Sequence, residues 1–239
     1  MAAMNPWDVE DLRFEEETFS GVVRLFPLPN LVLYPHVMQP LHIFEGRYRE
    51  MLSDALADDK LITMAVLEPG WEPDYDSRPP ISPIACLGKV VTHHKLPDGR
   101  SNLLLLGLRR VRLTRELNPK RSFRQAEVEL LSDVLPKQST SCLDQLHARL
   151  LTRFKTHFPG GEPPEQLEEV LTQHVPLNVL TDLIAYTLPL PLEIKQQLLG
   201  ECCVLTRTKM LLEELGCGAG EEVATAMAGR DFPPRFSVN

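Results

Sequence analysis

The 239-residue sequence contains no run of eighteen apolar residues, and its acidic start lacks the basic-then-apolar layout of a signal peptide. Neither a membrane span nor secretion is therefore expected, and the default compartment is the cytoplasm. Cysteine is sparse: Cys86, Cys142, Cys202, Cys203 and Cys217 form no C-x-x-C, and an odd number cannot all pair within one chain. Reduced, mostly buried thiols fit that count. A phosphate-binding loop is missing too, because the one Gly-Lys pair, Gly88-Lys89, is followed by Val90 and has no glycine five positions before it. ATP hydrolysis is excluded on that ground. The seven histidines show no H-E-x-x-H or comparable spacing, and His93-His94 would point to opposite faces of a strand. No metal or other cofactor is implied.

What is present is an ordinary globular composition, 43% hydrophobic and 24% charged, enough for one large or two small cores. The net charge of −8 sits in the ends. Six acids and one base occupy residues 1–20, five acids and two bases occupy residues 213–239, and the rest of the chain is neutral. Twenty-one prolines, nearly twice the ordinary share of about 5%, punctuate the chain in clusters.

Residues 22–44 read as short or edge strands, since Pro27, Pro29, Pro35 and Pro40 interrupt β-branched and aromatic runs. Tyr48, Met51, Leu52, Ala55 and Leu56 recur at helical spacing, and Phe44 stands where it could staple the helix start. Leu61–Leu67 reads as a buried strand, Glu68–Pro83 as a long exposed loop. From Ile84 to Leu131 the pattern is strands only, with a hairpin at L-P-D-G-R (96–100). Those letters with Ser101 also resemble a serine nucleophile loop, but Asp98-Gly99 between two strands is turn chemistry. Val111 and Leu113 alternate with Arg110 and Arg112, which predicts one buried and one wet face.

After a linker-like stretch at 132–141 everything reads as helix. Leu143 to Phe158, Glu165 to His174 and Leu177 to Leu188 give three helices. A long last one runs from Leu192 to Leu215, with Cys202-Cys203 at its middle. The fold class expected is α+β, a mostly antiparallel β-domain with one inserted helix followed by a helical bundle. The divisions are an acidic extension (1–20), the β-domain (21–132), the linker (133–141), the bundle (142–216) and a tail (217–239).

One charged run stands out. Arg109, Arg110, Arg112, Arg115, Lys120, Arg121 and Arg124 face a single acid, Glu116. Such a run can track a phosphate backbone, but no aromatics interleave with it and the body is neutral. Nucleic acid is therefore the alternative reading, behind a solvated strand face paired with acids. The acidic start, with Trp7, Phe14 and Phe19 among its carboxylates, is expected to lie across these arginines. Asp58-Asp59 and Glu168-Glu169 read as solvated pairs rather than catalytic ones.

Several ordered blocks resemble the amino-terminal substrate-recognition domain of Lon proteases: L-F-P-L-P-N-L-V-L-Y-P-H-V-M-Q-P-L-H-I-F-E-G-R-Y-R (25–49), C-L-G-K-V (86–90), G-L-R-R-V-R-L (107–113), A-E-V-E-L-L (126–131) and L-T-D-L-I-A-Y-T-L-P-L-P-L-E-I-K-Q-Q-L-L (180–199). The resemblance implies a PUA-like β-barrel followed by a helical bundle. It also implies binding of unfolded or partly folded polypeptide, alone or with a separate protease or chaperone. The Lon ATPase and Ser-Lys protease modules have no counterpart in these residues, so no enzymatic activity is implied. Peptide contacts are expected at His42, Phe44, Glu45, Arg47 and Tyr48. Gly46 departs from the proline that stand-alone relatives often carry there.

Overall fold

The computed structural model describes residues 14–216 apart from 76, 119, 139, 159–162 and 173–174. Trp7, His174, Cys217 and the tail 217–239 lie outside the described residues. The described residues form six strands with one helix inserted after the second, then five further helices: β1 Val22–Leu28, β2 Met38–Ile43, α1 Gly46–Leu56, β3 Leu61–Val66, β4 Ile84–Lys95, β5 Ser101–Glu116, β6 Arg124–Leu131, α2 Thr140–Lys155, α3 Glu165–Thr172, α4 Leu177–Thr187, α5 Leu192–Gly200 and α6 Val204–Glu214. The α+β class expected from the sequence is the one observed.

Five strands close a barrel in the order β1-β3-β4-β5-β6, with β6 pairing back onto β1. Among the described strands, only β1 and β3 run parallel. The sixteen-residue β5 makes closure possible, because its first half carries β2 while its second half carries β6. Period-two alternation sorts the side chains. Val23, Leu25, Leu61, Ala65, Ala85, Leu87, Val111 and Ala126, from all five barrel strands, form one cluster and fill the lumen. Their neighbours Phe26, Ile62, Met64, Cys86 and Leu105 face out, into a larger cluster shared with α1 and the helices.

Gly107 shows how the connection between β1 and β2 is held. His36 N donates to Gly107 O at 2.8 Å, and Gly107 N donates to Val37 O at 2.9 Å. A methyl at Gly107 would overlap the Tyr34 carbonyl oxygen. An isolated glycine in a strand pattern is the signature of such a backbone crossing.

Three expectations are corrected. The last helix is two helices, broken at Glu201–Cys203, because Val134 bridges to Cys203 and Arg207 Nη1 donates to Glu201 O at 2.7 Å. Cys203 therefore caps α6 rather than sitting mid-helix. Arg110, placed by alternation on a wet face, is buried: Asp182, Asp133 and the Leu199 carbonyl surround its guanidinium. The stretch read as a linker is tied down at Asp133, which receives Arg207 through two bonds of 3.0 Å, and at Val134.

Candidate functional site

Glu45 caps α1 with extended backbone but makes no side-chain cap bond. Its carboxylate is engaged elsewhere. Oε2 accepts from Arg47 Nε at 2.9 Å and Oε1 accepts from the Tyr75 hydroxyl at 2.5 Å, while Arg47 Nη1 donates to the Tyr75 carbonyl at 3.2 Å. The guanidinium lies 4.7 Å from the Tyr48 ring centre and 4.8 Å from that of Tyr75, so it is sandwiched between two aromatic faces. Burial would lower the Arg47 pKa, but the two tyrosines and Glu45 more than reverse this and hold it charged. Burial and the bond to Glu45 push the Tyr75 hydroxyl up.

Beside this knot opens a cleft of about 600 Å³ lined by Arg47, Tyr48, Ser77, Arg78, Arg121, Ser122 and Arg124. Three segments meet in it: the first turn of α1, the loop before β4, and the connection from β5 to β6. Carboxylates stand behind the arginines and fix them. Glu116 takes Arg124 through two bonds of 2.9 and 2.7 Å and also Arg78 at 3.0 Å, and Asp54 takes Arg121 at 3.0 Å. Asp54 is itself anchored by the buried Arg24, which also binds Asp58 and Asp59. The Asp58-Asp59 pair read as merely solvated thus helps hold α1 to β1.

Of the residues expected to touch peptide, Glu45, Arg47 and Tyr48 come together. Tyr48, offered as a surface group, is only 4% exposed, because its ring packs on Phe26 at 4.5 Å beneath Arg47. His42 and Phe44 make a separate pair. Their rings stack at 6.1 Å, and His42 Nδ1 bonds Asn102 Oδ1 at 2.6 Å. Phe44 is 37% exposed instead of stapling the helix.

The basic run does not form one track. Arg109 meets Glu16 at 3.5 Å, Arg112 meets Glu129 and Arg115 meets Glu127, all on exposed surface. Arg110 and Arg124 are buried, while Arg121 turns into the cleft and Lys120 is exposed. The acidic start reaches the run only through Glu16 among the described residues, and Phe14 and Phe19, like Leu108, Leu113, Val128 and Leu130, pack against the lumen cluster. Ser101 heads β5 as a buried strand residue, beyond a turn closed by Leu96 N to Arg100 O at 2.8 Å.

Comparison with known proteins decides the family. The family described as the ATP-dependent protease La (LON) substrate-binding domain matches residues 22–216. The chain belongs to that family. Among Lon proteases, that of Koribacter versatilis is 30% identical over 86% of this chain and 25% of its own length, and that of Brevibacillus choshinensis is 30% identical over 79% and 24%. This Lon-type chain thus spans about a quarter of the length of the relatives it matches. Two solved structures share its fold. The N-terminal domain of Mycobacterium avium complex Lon protease superimposes with a TM-score of 0.61 at 16% identity, over 82% of this chain and 99% of that domain. The Lon N-terminal domain protein of Xanthomonas campestris gives 0.59 at 21%, over 80% and 97%.

In this Lon-type chain the sequence pattern did not point to Tyr75, Ser77 and Arg78 at or beside the cleft. The loop that carries them was read as exposed, although Trp71 and Tyr75, whose rings meet at 5.3 Å, were an aromatic signal inside it.

Proposed function

We propose that this chain binds unfolded or partly folded polypeptide without catalysis, as an adaptor or regulator of proteolysis beside a separate protease or chaperone. The observation that carries the reading is the substrate-binding family's match across 22–216, nearly all of the described structure. The cleft at Arg47 fits it. A charged group stacked between aromatic faces, with fixed donors around it, can take polar and apolar parts of a peptide together. Barrel and bundle share one apolar cluster and the buried Arg110–Asp182 pair, so the β-domain 21–132 and the bundle 142–216 present their surfaces as one body.

Fluorescence anisotropy of a labelled, reduced and alkylated protein titrated with the purified chain tests this. Saturable binding without nucleotide, and no cleavage of the labelled protein, is the expected result. Absence of binding by folded chain would refute it.

A further inference from the structure

The geometry points to the arginine cleft as a site for an oxyanion presented by a polypeptide side chain, so that acidic or phosphorylated segments are the preferred clients. The inference rests on the polypeptide-binding reading and narrows it. Among the described residues seven line the cleft; four are arginines, two are serines and none of the seven is acidic. The carboxylates that neutralise these arginines stand behind them, as an orienting layer.

Donor accounting shows what remains available. Arg124 spends Nε and Nη2 on Glu116 and Nη1 on Pro79 O, and Arg47 spends its nitrogens on Glu45 and Tyr75. These two supply fixed positive charge. Among the described residues, Arg78 donates through Nη1, to Glu116 and the Leu117 carbonyl, and Arg121 is bound through Nη2 to Asp54, leaving the other edge of each guanidinium able to donate. Two forks held by carboxylates, with two further charges beneath, suit a carboxylate or phosphate better than a neutral amide.

A nucleic-acid strand fits less well. The arginines beyond the cleft, Arg112 and Arg115, are paired on the surface with Glu129 and Glu127, so the charge does not continue as a groove. The cleft is also short of stacking faces, since Tyr48 is buried.

The test compares labelled peptides of one apolar background carrying glutamate, phosphoserine or glutamine at the same positions, together with a single-stranded RNA, by anisotropy against the chain and its R78A/R121A variant. Both side chains are partly exposed, so the variant should fold, and circular dichroism checks that it does. Glutamate or phosphoserine peptide should bind roughly tenfold or more tightly than the glutamine peptide, with the advantage lost in the variant. Which of the two acids binds tighter identifies the oxyanion's source. Equal binding of all three peptides would overturn the acidic preference and leave polypeptide binding standing. No peptide binding would remove both readings, and variant-sensitive binding of RNA alone would assign the cleft to nucleic acid.

Discussion

Asp182, on α4, takes both terminal nitrogens of the Arg110 guanidinium, on β5, and neither side chain reaches solvent. Arg207, from α6, closes the same cluster through Asp133 and through Thr181, at 2.9 Å. The barrel and the helices are therefore joined by buried charge as well as by apolar packing. Removing one partner of such a pair leaves the other desolvated and uncompensated. Asp182→Asn should lower unfolding free energy by about 3–5 kcal/mol, read by urea denaturation. A loss below about 1 kcal/mol, the worth of an exposed pair, would mean that the junction is wetter than described.

The same junction gives a pH dependence. Burial pushes the Asp133 carboxyl up, but the bond from Arg207 and the charges of Arg110 and Arg207 outweigh it and hold the carboxyl below its ordinary value of 3.8. A carboxyl with a depressed folded pKa adds stability above its unfolded pKa and loses it as pH falls through the folded one. The wild-type chain should therefore lose its advantage over Asp133→Asn below about pH 4. Melting temperatures of the two proteins at successive pH values check this; a constant difference would contradict it.

Gly46 and Gly107 should respond oppositely to a side chain. Gly46 opens α1 with nothing near its would-be Cβ, and the preceding Glu45 is already extended, as a residue before proline must be. Gly46→Pro should stabilise by about 0.4–1 kcal/mol. Gly107→Ala forces a methyl onto the Tyr34 carbonyl and should cost about 1–3 kcal/mol. Thermal unfolding reads both, and two changes of the same sign would contradict the account.

Deleting residues 1–20 removes Glu16 from Arg109 and uncovers the apolar edge beneath Phe14 and Phe19. Retention on heparin should rise, with salt-sensitive elution, and so should binding of a hydrophobic dye. Unchanged retention would show that Glu16 does not screen the basic run.

The strands were legible because each one's pattern is local, whereas their closure into a barrel was implied by the resemblance. Val23 and Leu25, Ala85 and Leu87, and Leu61 and Ala65 declare the lumen face by period two. The break between α5 and α6 was not, since Ile194, Leu198, Cys202 and Leu205 keep helical spacing through it. Its causes are Val134 and the Glu201 carbonyl's capture by Arg207. Arg110 was misplaced for the same reason: the acid that justifies its burial lies 72 residues away. At the site, Glu45 and Arg47 were readable as neighbours on one helix start, but Tyr75 reaches Glu45 from a loop 30 residues away.

Hydrogen–deuterium exchange of the full chain, with and without a saturating unfolded polypeptide, tests the central claim most directly. The account predicts slowed exchange in the segments that meet at the cleft, 45–49, 75–78 and 121–124, with the lumen strands unchanged. Unaltered exchange in all three segments at saturation would contradict it.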